Sequence, residues 1–473
     1  MNSRRSSPAG AATWQGPPGE GDRRSRVLAG LILLLVISPL PFGSARPWAI
    51  YGLAVGFGLL AVAAGLASLR REQGHVAPSG RLWMAGLPFL TACGWAAVQT
   101  LPGMPAWLAH PAWAMASDAG LDGGYDSISV NPAAGHQAVF RLATAALAFV
   151  IAARLANDRN LARRLISAAA LISGAFSAYG IMVTVMGTNT ILWLDRWSHE
   201  GSLSATFVSR NSHAVYAGLG LLCCVAALTL HFNASGRPNQ RLRERLLAVL
   251  NAAGPYLACL LAALFCNLVA LMLTQSRAGS ASAAIGLAVL VGLVWARAPR
   301  RRSVDLTVAG LALVVIGYAL VAGTGLFQRL ETEDIATNER FLVYEIALRA
   351  IADRPLLGHG LATFEDVFRM YRTPEITLNW DRDHNSYLGM ALELGLPAAV
   401  LMALALLVLA LRCLGGVRRR QRDLALPALG VAALALVGAN AVLDFSVEIP
   451  AIAILLSVIV GVGYAQSWST SRR

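Results

Sequence analysis

Apolar stretches of roughly twenty residues recur along almost the whole chain, and short polar segments separate them. A helix rises about 1.5 Å per residue, so such a stretch is long enough to cross the hydrocarbon core of a bilayer, which is about 30 Å thick. The pattern predicts an all-α, polytopic membrane helical bundle of about twelve transmembrane helices. The predicted spans are Val27 to Phe42, Trp48 to Leu69, Leu82 to Leu101, Gln137 to Leu155, Leu165 to Met186, Asn211 to His231, Tyr256 to Thr274, Gly279 to Trp295, Leu306 to Leu326, Ser386 to Leu411, Leu426 to Leu443 and Ile449 to Tyr464.

The spans divide the chain into five predicted parts. Residues 1–26 are rich in Ser, Gly, Pro and Ala and predict a disordered cytoplasmic tail. Residues 27–326 contain transmembrane helices one to nine, and residues 327–385 form a large periplasmic loop. Residues 386–466 contain helices ten to twelve, and residues 467–473 form a cytoplasmic C-terminal tail. The long loop is neither low in complexity nor rich in Gly and Ser, so we expect it to fold.

Two short amphipathic helices are predicted inside the long loop, on the outer mouth of the bundle. The second begins with Thr363 and Asp366, which together resemble a capping box, and continues through Tyr371. The first has apolar and aromatic residues at helical spacing, which predicts its buried face. These residues are Phe341, Tyr344, Leu348 and Ile351.

Charge gives the orientation of the bundle. The 39 basic residues are all arginine and outnumber 26 acidic residues, which gives a net charge of +13. They lie in short clusters between apolar spans rather than on one polar face, so nucleic acid is not the expected partner; the lipid bilayer is. Basic clusters accumulate on the cytoplasmic side of a membrane, and their alternation predicts cytoplasmic N- and C-termini.

Arginines on the other side of the membrane run against that rule and therefore suggest a function. Arg277 lies in the tight turn between two apolar spans, and Arg210 lies where another span begins. Guanidinium groups at a membrane boundary are poorly solvated, and their five donors match phosphate oxygens. The alternative is that these side chains extend to lipid headgroups or pair with a carboxylate.

A second group of polar residues lies where the long loop returns to the membrane. His384 is the side chain best suited to proton transfer near neutral pH, and a carboxylate such as Asp383 could orient it. The alternative is a polar residue of the interface with no role in chemistry. The histidines show no HxxxH or HExxH pattern and the six cysteines no CxxC pattern, so no metal site is predicted.

The long loop and the span after it contain an ordered series of residues, namely Arg340, Tyr344, Ala347, Ile351, Pro355, Leu357-Gly358-His359-Gly360, Phe364, Tyr371, His384-Asn385, Tyr387-Leu388 and Glu393-Leu394-Gly395-Leu396. Two shorter motifs precede it, Ser209-Arg210-Asn211 and Gln275-Ser276-Arg277-Ala278-Gly279. Together these residues resemble the motifs of the O-antigen ligase and polymerase superfamily, bacterial membrane glycosyltransferases that use polyprenyl-diphosphate-linked glycans.

The resemblance implies an enzyme in the bacterial inner membrane with a periplasmic active site. It would pass a glycan from undecaprenyl diphosphate to a hydroxyl of the acceptor, either lipid A-core or another growing glycan, in lipopolysaccharide or related polysaccharide biosynthesis. By likeness, His384 would be the general base, and Arg210, Arg277 and Arg340 would hold the diphosphate. The resemblance implies no metal and no cofactor. The residues expected to support the site are Asn211, Asp383, Asn385 and Tyr387.

Two other functions are compatible with twelve spans. A secondary transporter or a flippase for a lipid-linked glycan would place ionisable residues at mid-membrane on several helices. The predicted span interiors are nearly free of charge, and Arg141, Glu393 and Asp444 are exceptions near span ends. A structural scaffold would not need the arginine and histidine residues.

Overall fold

A computed structural model describes residues 20–69, 82–121, 125–198, 200–235, 254–297, 334–374, 376, 380–420 and 422–468. Within these residues the chain forms fifteen α-helices and one antiparallel two-stranded sheet, in which Thr190–Ile191 (β1) pairs with Leu194–Asp195 (β2). The helices are α1 (Glu20–Ile37), α2 (Pro47–Leu69), α3 (Trp83–Gln99), α4 (Pro111–Asp118), α5 (Pro132–Leu155), α6 (Arg159–Val185), α7 (Arg210–Ser235), α8 (Pro255–Leu273), α9 (Arg277–Arg297), α10 (Asp334–Asp353), α11 (Phe364–Tyr371), α12 (Ser386–Leu394), α13 (Leu396–Arg419), α14 (Ala425–Asn440) and α15 (Pro450–Ala465).

The predicted all-helical membrane class is confirmed. Within the described residues, seven helices are long and apolar enough to cross a membrane, namely α2, α5, α6, α7, α8, α9 and α13. Two shorter apolar helices, α14 and α15, pack among them. The predicted ninth span, Leu306 to Leu326, lies outside the described residues, so the count of twelve stays a prediction.

Helix α7 forms the centre of the bundle, and every residue from Ser212 to Leu228 is buried. Small residues allow its neighbours to approach, as expected where apolar lipid gives no hydrophobic drive for helix association. A Cβ at Gly220 would lie 1.8 Å from Ser173 Oγ on α6. The same hydroxyl accepts a hydrogen bond from Asn267 Nδ2 on α8 at 3.1 Å. Close backbone packing and a buried polar contact therefore fix α6, α7 and α8 together.

The predicted tenth span, Ser386 to Leu411, is two helices rather than one. Gly395 separates α12 from α13 and has a φ of +79°, a conformation that glycine adopts without steric cost. A Cβ there would lie 2.5 Å from the carbonyl oxygen of Leu356, and the Leu396 N–H donates to Pro355 O at 2.8 Å. The helix breaks because the returning long loop packs directly against this backbone.

The described residues of the long loop form α10 and α11, which share an apolar core beside α12. The predicted buried face of α10 is wrong by part of a turn, because Phe341 and Leu348 are exposed. Tertiary contacts with α11 and α12 select the neighbouring stripe of the helix instead. The buried residues of α10 are Val343, Ile346, Ala347, Ala350 and Ile351.

The predicted capping box of α11 does not form. Thr363 is the N-cap residue, but its hydroxyl donates to the carbonyl oxygen of Gly360 at 2.6 Å. The Phe364 N–H donates instead to Glu393 Oε1 at 3.3 Å. A carboxylate from α12 thus supplies an acceptor for the first turn of α11, where the helix dipole favours negative charge.

A buried histidine pair fastens the long loop to the segment before α4. His110 Nε2 lies 2.9 Å from His359 Nδ1, and His359 Nε2 lies 2.9 Å from Ala350 O. Because the Ala112 N–H donates to His110 Nδ1, the proton of His110 is on Nε2, and that of His359 is also on Nε2. Burial lowers the pKa of His110 to about 3 and that of His359 below its usual range. The nearby Arg354 cation adds to the lowering of both pKa values.

The opposite end of the bundle from His384 contains an ion-pair cluster. Asp423 is buried between α13 and α14 and accepts hydrogen bonds from Arg159 and Arg163 on α6. Burial alone would raise the pKa of Asp423, but these two arginines outweigh it and lower the pKa.

Candidate active site

His384 lies at the end of the long loop, two residues before α12, in an unusual backbone conformation. Its φ is +50°, a left-handed value that is uncommon for a residue with a side chain. The Tyr344 hydroxyl on α10 donates to the His384 carbonyl oxygen at 3.3 Å. Asn385 follows as the N-cap of α12, and its Oδ1 accepts from the N–H groups of Tyr387 and Leu388 at 3.1 and 3.2 Å. The local sequence thus fixes the backbone on both sides of the histidine.

The His384 imidazole is half-buried between two aromatic rings. The ring centroid of Trp380 lies 5.1 Å away at an interplanar angle of 87°. The ring centroid of Phe445, in the turn between α14 and α15, lies 5.1 Å away on a plane tilted by 78°. Edge-to-face contacts of this kind hold a planar side chain in a defined orientation.

An ion pair lies beside this aromatic contact. Arg382 Nη1 donates to Glu448 Oε2 at 2.8 Å, and both side chains are partly buried. The Arg382 guanidinium also lies over the Phe445 ring, with Cζ 5.8 Å from the ring centroid. Phe445 therefore contacts both the imidazole and the ion pair.

Asp383 is buried against α12. One carboxylate oxygen accepts from the Asn385 N–H at 3.2 Å, and the other occupies the space where a Cβ of Gly389 would lie, 1.4 Å away. Burial, with help from the charges of Glu448 and Glu393, raises the pKa of Asp383, although the Asn385 N–H and Arg382 oppose this. Asp383 thus supports the start of α12.

Glu393 and Arg141 extend this group of charges toward α5. Glu393 lies on α12, and its charge acts on Asp383 together with that of Glu448. Arg141 on α5 lies within electrostatic range of Glu448, Arg382 and Glu393. The described charges near His384 therefore form one mixed cluster of both signs.

The two arginine motifs of the sequence come together at the N-termini of two helices. Arg210 is the first residue of α7, and Arg277 is the first residue of α9. Ser276 Oγ donates to Asn211 Oδ1 at 2.8 Å, which ties the two helix starts to each other. Arg277 is exposed and Arg210 is half-buried.

A second contact connects these helix starts with the histidine. Ser446 Oγ lies 3.5 Å from Ser212 Oγ on the first turn of α7. Ser446 directly follows Phe445, whose ring packs on His384. Through these contacts the structure brings the predicted arginine and histidine motifs to one end of the bundle.

The remaining predicted site residues lie close to this group. The Tyr387 hydroxyl donates to the Gly438 carbonyl oxygen at 2.9 Å and so ties α12 to α14. Arg340 lies on α10, one turn before Tyr344, but its side chain lies outside the described residues.

The sequence did not single out Phe445, Glu448 or Trp380 as site residues. Glu448 gave a weak signal, because it is a carboxylate in a very short loop between two apolar spans. Phe445 and Trp380 gave none, since aromatic residues are common at membrane interfaces.

A comparison with family models bears on this end of the bundle. Residues 262–403, which are 142 of the 473 residues, match the family described as O-antigen ligase. The matched stretch begins within α8, ends within α13, and contains Arg277, Arg340 and His384. Arg210 lies before it and Glu448 after it. No curated protein matches the chain at a significant level.

The match confirms the predicted resemblance to the O-antigen ligase superfamily. Together with the apolar helices, it supports a bacterial membrane protein of the O-antigen ligase or polymerase type, a class of glycosyltransferases. That family implies a lipid-linked glycan donor and a polysaccharide acceptor.

Proposed function

We propose that the chain transfers a glycan from undecaprenyl diphosphate to an acceptor hydroxyl at the periplasmic face of the inner membrane. His384 is the general base, and Arg210, Arg277 and Arg340 bind the diphosphate. Asn211, Asp383, Asn385 and Tyr387 hold these groups in place. The acceptor is either lipid A-core or another growing glycan, and the proposed reaction uses neither a metal nor a cofactor.

One observation carries this proposal, namely the continuous contact between the separate motifs. The Ser276 hydroxyl donates to Asn211 Oδ1 at 2.8 Å. The Ser212 hydroxyl lies 3.5 Å from that of Ser446, which follows Phe445, and the Phe445 ring packs on His384. Side chains suited to an anion and a side chain suited to proton transfer thus share one end of the bundle.

The proposed step needs both kinds of side chain. The His384 imidazole takes the proton of the acceptor hydroxyl, whose oxygen then forms a bond to the anomeric carbon of the donor sugar. The bond from that carbon to the diphosphate oxygen breaks, and undecaprenyl diphosphate leaves with the electron pair. General-base catalysis of this kind contributes roughly 10²–10⁴-fold to a rate.

The arginines stabilise the negative charge that develops on the leaving diphosphate. Fixed guanidinium donors in a site with little water stabilise that charge more in the transition state than in the ground state. Arg210 and Arg277 each begin a helix, and the N–H groups and dipole at a helix N-terminus favour an anion as well.

Deletion of the gene followed by complementation tests the proposal. Cells that lack the chain should lose a surface polysaccharide and accumulate its lipid-linked precursor, and the wild-type gene should restore the product. His384→Ala and Arg277→Ala should each abolish detectable glycan transfer, since loss of a general base alone lowers a rate by roughly 10²–10⁴-fold, while both proteins still insert in the membrane. Arg349→Ala is the control, because Arg349 is exposed on α10 and pairs only on the surface with Glu345.

The product that is lost identifies the acceptor. Unligated O-antigen on its lipid carrier would indicate a ligase, whereas a single repeat unit on the core would indicate a polymerase. Wild-type levels of polysaccharide in cells carrying His384→Ala would overturn the mechanism. Precursor trapped on the cytoplasmic leaflet of the deletion strain would favour the flippase alternative.

A further inference from the structure

The environment of His384 includes residues to which the proposed mechanism gives no role. Phe445 contacts the imidazole at a centroid distance of 5.1 Å, and the Arg382 guanidinium lies over the same phenyl ring at 5.8 Å. Glu448 pairs with Arg382 at 2.8 Å. One contiguous chain of contacts therefore runs from Glu448 through Arg382 and Phe445 to His384.

We propose that Phe445, together with the Arg382–Glu448 ion pair that packs against it, positions the His384 imidazole for proton transfer and balances the charge around it. The inference rests on the proposed function, because it concerns the same reaction. Phe445, Arg382 and Glu448 are positioning residues that act through His384 and not on the substrate.

The first part of the argument is geometric. His384 has a left-handed backbone, so its side chain leaves the loop in a direction that backbone preference alone would not select. Trp380 and Phe445 then bound the ring with edge-to-face contacts at 87° and 78°. Trp380 comes from the same loop, but Phe445 comes from the turn before α15. Phe445 therefore ties the histidine to the helix bundle that carries Arg210.

The second part of the argument concerns charge. A general base gains a proton and becomes a cation during the reaction, and an unpaired guanidinium close by would oppose that change. Glu448 pairs with Arg382 at 2.8 Å and offsets its charge. Within the part of the chain that the structure describes, the charged and titratable groups around the imidazole are Asp381, Arg382 and Asp383 on its own loop, Tyr344 on α10, Glu393 on α12, Arg141 on α5, and Asp444 and Glu448 before α15.

Removing either member of the ion pair should therefore shift the pH dependence of the reaction in opposite directions. Glu448→Gln leaves the Arg382 cation unbalanced, which favours the neutral imidazole and moves the acid limb of kcat/KM to lower pH. Arg382→Gln leaves the Glu448 anion, which favours the protonated imidazole and moves that limb to higher pH. We expect each shift to be roughly 0.5–1 pH unit.

The experiment uses purified full-length protein and solubilised membranes of the deletion strain, which supply the native lipid-linked glycan and its acceptor. Initial rates of glycan transfer are measured between pH 5.5 and 9 for the wild type, the two single variants and the double variant. The double variant Arg382→Gln/Glu448→Gln should return the acid limb close to its wild-type position. Glu345→Gln and Arg349→Gln, which change an exposed pair on α10, should leave the limb in place.

Phe445 has its own readout. Phe445→Leu should lower kcat by about 10- to 100-fold with little change in the KM for the membrane-bound donor, because the ring contacts the base and not the substrate. Phe445→Tyr keeps the aromatic contact and should retain most of the activity.

Two outcomes separate failure of this inference from failure of the proposed function. If His384→Ala is inactive but the profiles of Glu448→Gln and Arg382→Gln coincide with the wild type, or move together, the positioning role is wrong. If His384→Ala keeps wild-type activity, the general-base assignment is wrong and the inference fails with it.

Discussion

The buried pair His110–His359 makes the attachment of the long loop sensitive to acid. Both imidazoles are neutral in the folded protein, and each ring nitrogen has a partner, so an added proton would break a hydrogen bond in a buried site. The contribution of His110 to stability is complete above its ordinary pKa of 6.5 and is lost as the pH falls toward the folded value of about 3.

The size of the effect follows from the two pKa values of His110. An opened segment binds a proton at pH 5, whereas the docked segment does not. Between pH 7 and pH 5 this difference lowers the free energy of opening by about 2 kcal/mol, which is roughly a thirtyfold change in the opening equilibrium. The lowered pKa of His359 acts in the same direction.

Amide hydrogen exchange measures this opening directly. Two amides report on opening at the His110–His359 pair. The Val130 N–H donates to His359 O at 2.9 Å, and the His110 N–H donates to Ser127 O at 2.8 Å. After correction for the intrinsic rate, both should exchange faster at pH 5 than at pH 7. The variant His110→Leu/His359→Leu should lose that dependence. Equal protection of the wild type at both pH values would refute the reasoning.

Two further predictions concern the support of the site. Gly389→Ala should destabilise the protein by about 1–3 kcal/mol, because the new methyl would lie 1.4 Å from Asp383 Oδ2; the melting temperature in detergent should recover when Asp383→Ala is added, and no recovery would contradict the clash. Glu393→Ala should weaken the first turn of α11 by about 1 kcal/mol, because it removes the acceptor of the Phe364 N–H. Glu393→Gln keeps an acceptor and should leave the exchange of that amide nearly unchanged, so equal effects of the two variants would argue against a capping role.

The long-loop motif that resembles the family contains residues with a structural role. In Leu357-Gly358-His359-Gly360, the Gly360 N–H donates to Glu393 O at 2.9 Å, and a Cβ at Gly358 would lie 2.3 Å from that same oxygen. His359 belongs to the buried pair described above and is not exposed to substrate. The series that predicted a family therefore contains residues that attach the loop as well as residues proposed for chemistry.

The sequence by itself determined the membrane class and the approximate helices. A bilayer offers no hydrogen-bond partners, so each span must satisfy its backbone locally and must be apolar over its whole length, and both properties are readable from neighbouring residues. The proposed base and the arginine motifs were readable for a related reason, because a charge or an imidazole beside an apolar span is costly and stands out. The first residues of α7 and α9 lie within two residues of the predicted starts of these spans.

Only the tertiary structure decided which residues surround the proposed base. Ser212 and Ser446 are 234 positions apart, and nothing in either neighbourhood specifies the other. The break at Gly395, the buried face of α10 and the cap of α11 were mispredicted because a distant segment outweighs local preference at each. Local periodicity determines where a helix forms. The packing of whole helices determines which face of a helix is buried and which distant segment contacts His384.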